Sequence, residues 1–367
     1  MVQRILIRAH KRNRGTAWRI ACVILLMLTP AWAARKNDKP AVSTPPDLLL
    51  EGDRKLSFER SFSSETDVRG KPRFWTKVLN FVAGEPEYRG MIRPYGIAVD
   101  SHGRAIITDP GAKGVHIFDF EQHKYKFIQR ADKEKDPMLS PLCVAVDLQD
   151  NIYVTDSAAG KIFVFDANGK FKHALGSLKG GEGFFKRPTG IAVDSAEQRI
   201  YVTDTLRDKI FVLDMQGQVL RSAGKHGIGD GEFYYPTELH LDDHNLLVVD
   251  AMNFRLQFLT RNGDYEGAIG HAGDSAGQMF RPKGVGEDSE GHFYVIDGLW
   301  GLVQVFDREG RLLYFFGKRG VELGEFQLPS GLFIDRKDRI YVVDSYNRRV
   351  QVFHYYGLPQ LARGATN

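Results

Sequence analysis

Two residues of the chain have types and spacing suited to chemistry. Glu238 and His240 stand two apart in the run PTELHL, so in an extended strand they share one face. A carboxylate and an imidazole held together can act as an acid/base pair or supply part of a metal site. The structural reading is a polar pair that satisfies itself and fills space. That reading is favoured, because no second or third His shares their register. Arg93, Arg187 and Arg281 form a second set, each immediately before a proline. Guanidinium groups so placed can capture a carboxylate, a phosphate or an acidic sugar. The favoured alternative is that each pairs with a local Asp and lays its stem over the fold.

The elements that must position these groups recur along the chain. The stretch RPTGIAVDSAEQRIYVTDTLRDKIFVLDMQGQVL holds four runs of strand length separated by turn-forming residues. Such a unit is a four-stranded antiparallel meander with two apolar faces, and it cannot bury both alone. Copies follow Pro94, Pro141, Pro188, Pro236, Pro282 and Pro329, at spacings of 47, 47, 48, 46 and 47 residues. That constancy marks a repeat architecture. Asp109, Asp156, Asp204, Asp250, Asp297 and Asp344 end each second run. A residue repeated in every unit serves the unit, here as an acceptor for turn amides rather than as a calcium ring. From the end of the third run to the next proline is always 22 residues, as a closed ring of equivalent blades demands.

The units resemble NHL repeats, most clearly in PSGLFIDRKDRIYVVDSYNRRVQVF and YPTELHLDDHNLLVVDAMNFRLQFL. The resemblance covers Pro94 to Phe353 and implies an all-β, six-bladed β-propeller of four-stranded antiparallel blades. It says little about activity, because propellers host many unrelated functions. The Asn of the turn between second and third strands survives only at Asn253 and Asn347, and the fifth repeat has DGLWG there.

Taken in order, residues 1–33 read as a secretory signal peptide. Six cations and no acid precede the apolar run IACVILLML, and an Ala31-Trp32-Ala33 site follows. The run falls short of the ~20 residues needed to span a bilayer; the long basic region keeps an uncleaved anchor as the alternative, and with it the only expected membrane contact. Residues 34–54 read as a flexible spacer and 359–367 as a tail. The blades divide as 94–140, 141–187, 188–235, 236–281, 282–328 and 329–358. The last lacks a fourth strand, so 55–93 must close the ring. Residues 55–63 are expected to supply that strand and 72–83 a short helix, the competing strand being 76–83.

Without residues 1–33 the formal charge falls from +4 to −2. A mildly acidic domain lacks the footprint of a nucleic-acid binder, so no nucleic-acid partner is expected. Cys143 is then the single cysteine, inside the strand pattern LCVAV, where packing outweighs chemistry.

Small residues open the innermost strands (Gly96, Gly190, Gly284, Gly331), as six strands converging on an axis require. Glu238 and His240 are therefore exceptions near that axis. The turns between second and third strands carry Leu206, Met252, Phe254, Leu299, Trp300 and Tyr346. Together with Arg93, Arg187 and Arg281 they lie on the face that usually binds ligands. They form either a contact rim for a protein or glycan or caps folded over the blades. The expectation is an exported, non-catalytic interaction scaffold in the periplasm, at the cell surface or outside the cell. Its partner would be an envelope or extracellular protein, or a glycan, with no cofactor and no metal. The alternative is a metal-dependent enzyme resembling the peptidyl-hydroxyglycine amidating lyases or the lactonase-like hydrolases. Those need several ligands converging on the axis, and among the histidines only His240 is well placed.

Overall fold

The computed structural model describes residues 44–69, 89–129, 137–179, 183–242 and 244–357, all within the compact unit that begins at Thr44. The chain enters through β1 (Leu48–Leu49), β2 (Lys55–Phe62) and a single helical turn, α1 (Thr66–Arg69). Six antiparallel sheets then follow in sequence. The first holds β3 (Ile97–Val99), β4 (Ala105–Asp109), β5 (Gly114–Asp119) and β6 (Lys124–Ile128). The second holds β7 (Pro141–Val146), β8 (Ile152–Asp156), β9 (Lys161–Phe165) and β10 (Phe171–Leu175). The third holds β11 (Pro188–Asp194), β12 (Arg199–Asp204), β13 (Lys209–Asp214) and β14 (Val219–Ala223).

The fourth consists of β15 (Pro236–Leu241), β16 (Leu246–Asp250), β17 (Arg255–Leu259) and β18 (Tyr265–Ile269). In the fifth are β19 (Pro282–Glu287), β20 (Phe293–Asp297), β21 (Leu302–Phe306) and β22 (Leu312–Phe316). The sixth joins β23 (Leu332–Ile334), β24 (Arg339–Asp344) and β25 (Arg349–Tyr356) to β2 and β1, in the order β1-β2-β25-β24-β23. The molecule is a six-bladed propeller whose last blade takes strands from both ends of the chain. In β2 the pairing runs from Lys55 opposite Tyr356 to Phe62 opposite Val350, with one bulge between Phe58 and Arg60. The helix expected at 72–83, the competing strand at 76–83, the leader at 1–33 and the tail at 359–367 lie outside the described residues.

Each blade's second strand is sealed by neighbours on both faces, so β4, β8, β16 and β20 are buried at every position. That is why these runs read as continuous apolar stretches rather than as alternation. The cores lie between consecutive blades. Ile191, Ile200 and Val202 of the third blade, for example, pack with Leu142, Tyr153 and Ile162 of the second.

Threonines ending the second strands stitch each blade to the next. Thr155 Oγ1 donates to the Thr189 carbonyl at 2.6 Å, and Thr203 Oγ1 to the Thr237 carbonyl at 2.9 Å. Thr108 Oγ1 donates in the same way to the Leu142 carbonyl. Ser330 Oγ donates to the Tyr95 carbonyl at 2.8 Å, which joins the sixth blade to the first and closes the ring.

At the axis the first strands approach backbone to backbone. A Cβ on Gly190 would lie 2.6 Å from the Thr237 carbonyl oxygen, and one on Gly331 would lie 2.5 Å from that of Tyr95. Glycine stands there because nothing larger fits.

Candidate functional site: the connector face and the axial mouth

The connections into each first strand and the turns between second and third strands share one face. Each connection is anchored three residues before its proline by a buried side chain: Met91, Met138, Phe185, Phe233, Met279 and Phe326, none more than 4% exposed. The next residue in Ile92, Leu139 and Phe280 turns outward, 53%, 44% and 45% exposed. Burial of one apolar residue and presentation of the next thus alternate along a fixed path.

Carboxylates hold that path, as the repeat of Asp indicated. Asp109 accepts the amides of Ile92, Arg93 and Ala112 at 2.6, 3.0 and 2.8 Å. Asp204 accepts those of Lys186 and Arg187, each at 2.9 Å. In the fourth and sixth blades the Asn and Arg of the NHL pattern complete a clamp. Asn253 Nδ2 donates to the Gly227 carbonyl and to Asp250, at 2.9 and 2.8 Å, while Arg255 binds Asp250 and the carbonyls of Gly229 and Glu232. Asn347 and Arg349 repeat this with Gly320, Asp344, Glu322 and Glu325. The turn that presents the rim closes through a left-handed residue in every blade: Lys113, Gly160, Asp208, Phe254, Gly301 and Arg348, with φ between 51° and 69°. Four of these six are not glycine, a backbone cost of about 1 kcal/mol each that the clamps offset.

On this frame the expected rim residues part company. Leu206, Met252, Trp300 and Tyr346 are 48%, 46%, 46% and 51% exposed, and Leu299 is 38% exposed. Phe254 instead folds down over the fourth blade, with its ring 6.4 Å from Phe280. It is a cap, packed against the core between the fourth and fifth blades.

The arginines also depart from expectation. Their backbone amides reach the repeated Asp residues, but their guanidinium groups do not. Arg93 lies over the ring of Tyr346, 5.5 Å from its centroid, and 3.5 Å from its hydroxyl. The guanidinium groups of Arg187 and Arg281 have no hydrogen bond or ion pair among the described residues; both residues are exposed. None of the three guanidinium groups pairs with an Asp among the described residues, which overturns the local pairing expected for them.

At the axis, Glu238 and His240 are not a mutually satisfied pair. Side chains two apart on a strand sit ~6.6 Å from one another along its axis, and these two find different surroundings. Glu238 accepts the Cys143 thiol across the third blade, Sγ to Oε2 3.3 Å. Enclosure by the converging strands pushes its carboxyl up to about 7, against the pull of Cys143 and Lys283. The same enclosure, with Glu238 beside it, pushes the Cys143 thiol up. His240 lies one step deeper and makes no hydrogen bond among the described residues. Its enclosure pulls the ring down to about 4, with Asp242 and Arg261 the charged groups in reach. Both side chains are half-buried, open to the channel though walled in by protein.

Two further residues of the mouth, Tyr95 and Lys283, carry no signal that singles them out in one repeat. Their shared register, one residue after the proline, was the available clue. The Lys283 ammonium lies 5.7 Å from the centroid of the Tyr95 ring, reaching from the fifth blade to the first. Enclosure brings it down to about 8, helped by Arg281 and opposed by Glu238. Glu287 makes an ion pair with Arg308. Two cavities, of about 350 and 550 Å³, lie on the opposite rim, around Phe258–Arg308 and around His102–Lys126. Among the described residues, one group could share a cation, Asp100, His102 and Asp150, also on that rim. Asp100 is already spent on Arg104, and Asp150 on Ser101.

A family model described as a 6-bladed beta-propeller matches residues 140–202 and 192–277, and the NHL repeat model matches 326–353. The chain is a six-bladed β-propeller with an NHL repeat in its last blade. The second match coincides with the clamp built by Asn347 and Arg349. No curated protein matches this NHL propeller. Its fold is similar to that of a gluconolactonase from Xanthomonas campestris, at 15% identity and TM-score 0.56, over 86% of this chain and 99% of that one. It is similar also to virginiamycin B lyase from Staphylococcus aureus, at 14% identity and TM-score 0.53, over 82% and 99%. An auxiliary nutrient binding protein from Bacteroides thetaiotaomicron aligns at 13% identity and TM-score 0.56, over 73% and 70%. These likenesses describe the fold alone.

Proposed function

We propose that this NHL propeller is an exported, non-catalytic interaction scaffold that receives a protein or glycan of the cell envelope on its connector face. The observation that carries the reading is the contrast on that face. Its backbone is held by buried anchors and Asp, Asn and Arg clamps, while Ile92, Leu206, Met252, Phe280, Trp300 and Tyr346 stand out into solvent. A rigid surface that keeps large apolar side chains exposed is what a docking site needs, since little ordering entropy remains to be lost on binding. The leader-like residues 1–33 support a location beyond the cytoplasm.

The alternative, a metal-dependent lyase or lactonase-like hydrolase, has less behind it. Glu238 is engaged by a thiol, and His240 has no partner among the described residues to orient it as a base. The test is site-resolved photo-crosslinking in cells. A photoreactive residue in place of Trp300 or Tyr346 is expected to trap the same partner. One in place of Leu313 or Phe315, exposed on the outer edge of the fifth blade, is expected to trap none. Equal trapping from both places would remove the proposed face.

A further inference from the structure

The axial mouth carries a charge imbalance that the docking reading does not use. Most arginines of the propeller are tied to carboxylates, as Arg255 is to Asp250, Arg261 to Asp194 and Arg349 to Asp344. Lys283, Arg187 and Arg281 are not. None of the three side chains has a hydrogen bond or ion pair among the described residues, yet all three act on the same point. Arg281 stands two residues before Lys283, whose ammonium lies 5.7 Å from the Tyr95 ring, and Arg187 holds the same pre-proline position two blades earlier; both arginines act on the proton affinities of that lysine and that tyrosine. Among the described residues, the carboxylate that acts on Lys283 is Glu238, and it already receives the Cys143 thiol.

Like charges gathered around one opening repel one another and cost stability. The arrangement becomes favourable once an anion enters. Tyr95 adds a donor, because its hydroxyl makes no hydrogen bond to a described residue and burial keeps it protonated. Thr237, in the same register as Tyr95 and Lys283, leaves its buried hydroxyl oxygen without a hydrogen-bond partner among the described residues.

We propose that the mouth of the axial channel is an oxyanion site, in which Lys283, Arg187 and Arg281 receive a carboxylate or phosphate group beside the Tyr95 hydroxyl. Guanidinium groups suit such a ligand because they offer paired donors to two of its oxygens, and the ammonium adds a point charge. The thiol of Cys143 and the carboxyl of Glu238 form the floor. The site stands or falls independently of the docking face, since none of the exposed apolar rim takes part in it.

The experiment is calorimetric titration of the full chain with inorganic phosphate and, separately, with succinate, in chloride buffer of matched ionic strength. Saturable binding of at least one is expected, and which one binds separates a phosphate ligand from a carboxylate ligand. Lys283→Met and Arg281→Met are each expected to weaken that binding at least tenfold. Arg311→Gln, on the far rim, is expected to leave it unchanged. Thermal melting of the same variants checks folding, and Lys283→Met is expected to melt no lower than the parent in chloride alone. No saturable binding of either anion would overturn the proposal, and so would binding that Lys283→Met and Arg281→Met leave intact.

Discussion

Cys143 and Glu238 meet 3.3 Å apart although 95 residues and one whole blade separate them. The blade between them contributes Gly190 at the same register, and its missing side chain is what lets second and fourth blades touch. The thiol is 2% exposed and sits beside a carboxylate. Burial and that neighbour both oppose the thiolate, which is the reactive form. Peptide-level mass spectrometry after iodoacetamide at pH 8 is expected to find Cys143 unmodified in the native protein and modified in urea. Rapid native alkylation would contradict the packing.

Gly190→Val tests how the ring is held. The added Cβ would sit 2.6 Å from the Thr237 carbonyl oxygen and 2.8 Å from the Leu239 nitrogen, both backbone atoms that cannot step aside. A loss of about 3 kcal/mol is expected from overpacking, read as a lower urea midpoint. A variant as stable as the parent would mean that the first strands do not converge as described.

Thr203→Val removes a stitch without changing shape. Its hydroxyl donates to the Thr237 carbonyl and accepts the Gly190 amide at 2.8 Å. Both groups would be left in a buried setting, at a cost of about 1–3 kcal/mol, measured by chemical unfolding. No change in unfolding free energy would show that the stitch contributes nothing.

His240 sets a pH dependence. Its pKa in the fold is pulled down to about 4 from an ordinary value of 6.5, so the unfolded chain binds more protons between those values. The stability contribution is present above pH 6.5 and is lost as pH falls toward 4, at no more than about 1.4 kcal/mol per pH unit. His240→Gln is expected to flatten the melting-temperature profile over that window and to leave it unaltered above pH 7. Profiles of equal slope would contradict the enclosure of the ring.

Regular features of the fold were legible because they recur. The prolines counted the blades, the Asp at each second-strand end was readable as a structural acceptor, and the missing fourth strand of the last repeat pointed to residues 55–63, which pair with β25. Harder to see were the connector anchors, which switch between Met and Phe and so hide behind variable residue type. Beyond pattern altogether was the Cys143–Glu238 contact, since proximity around a closed ring is set by blade order rather than by spacing in the chain. For the rim, residue type could not separate Phe254, folded inward, from Trp300, exposed, because what separates them is the apolar neighbour the ring finds, Phe280 in the case of Phe254.

The central claim is that the connector face is where this propeller meets its partner. Photo-crosslinking from position 300 in living cells tests it most directly. The account expects one discrete adduct, reproduced from position 346 and absent from position 313. No adduct from 300 or 346, or the same adduct from 313, would contradict it.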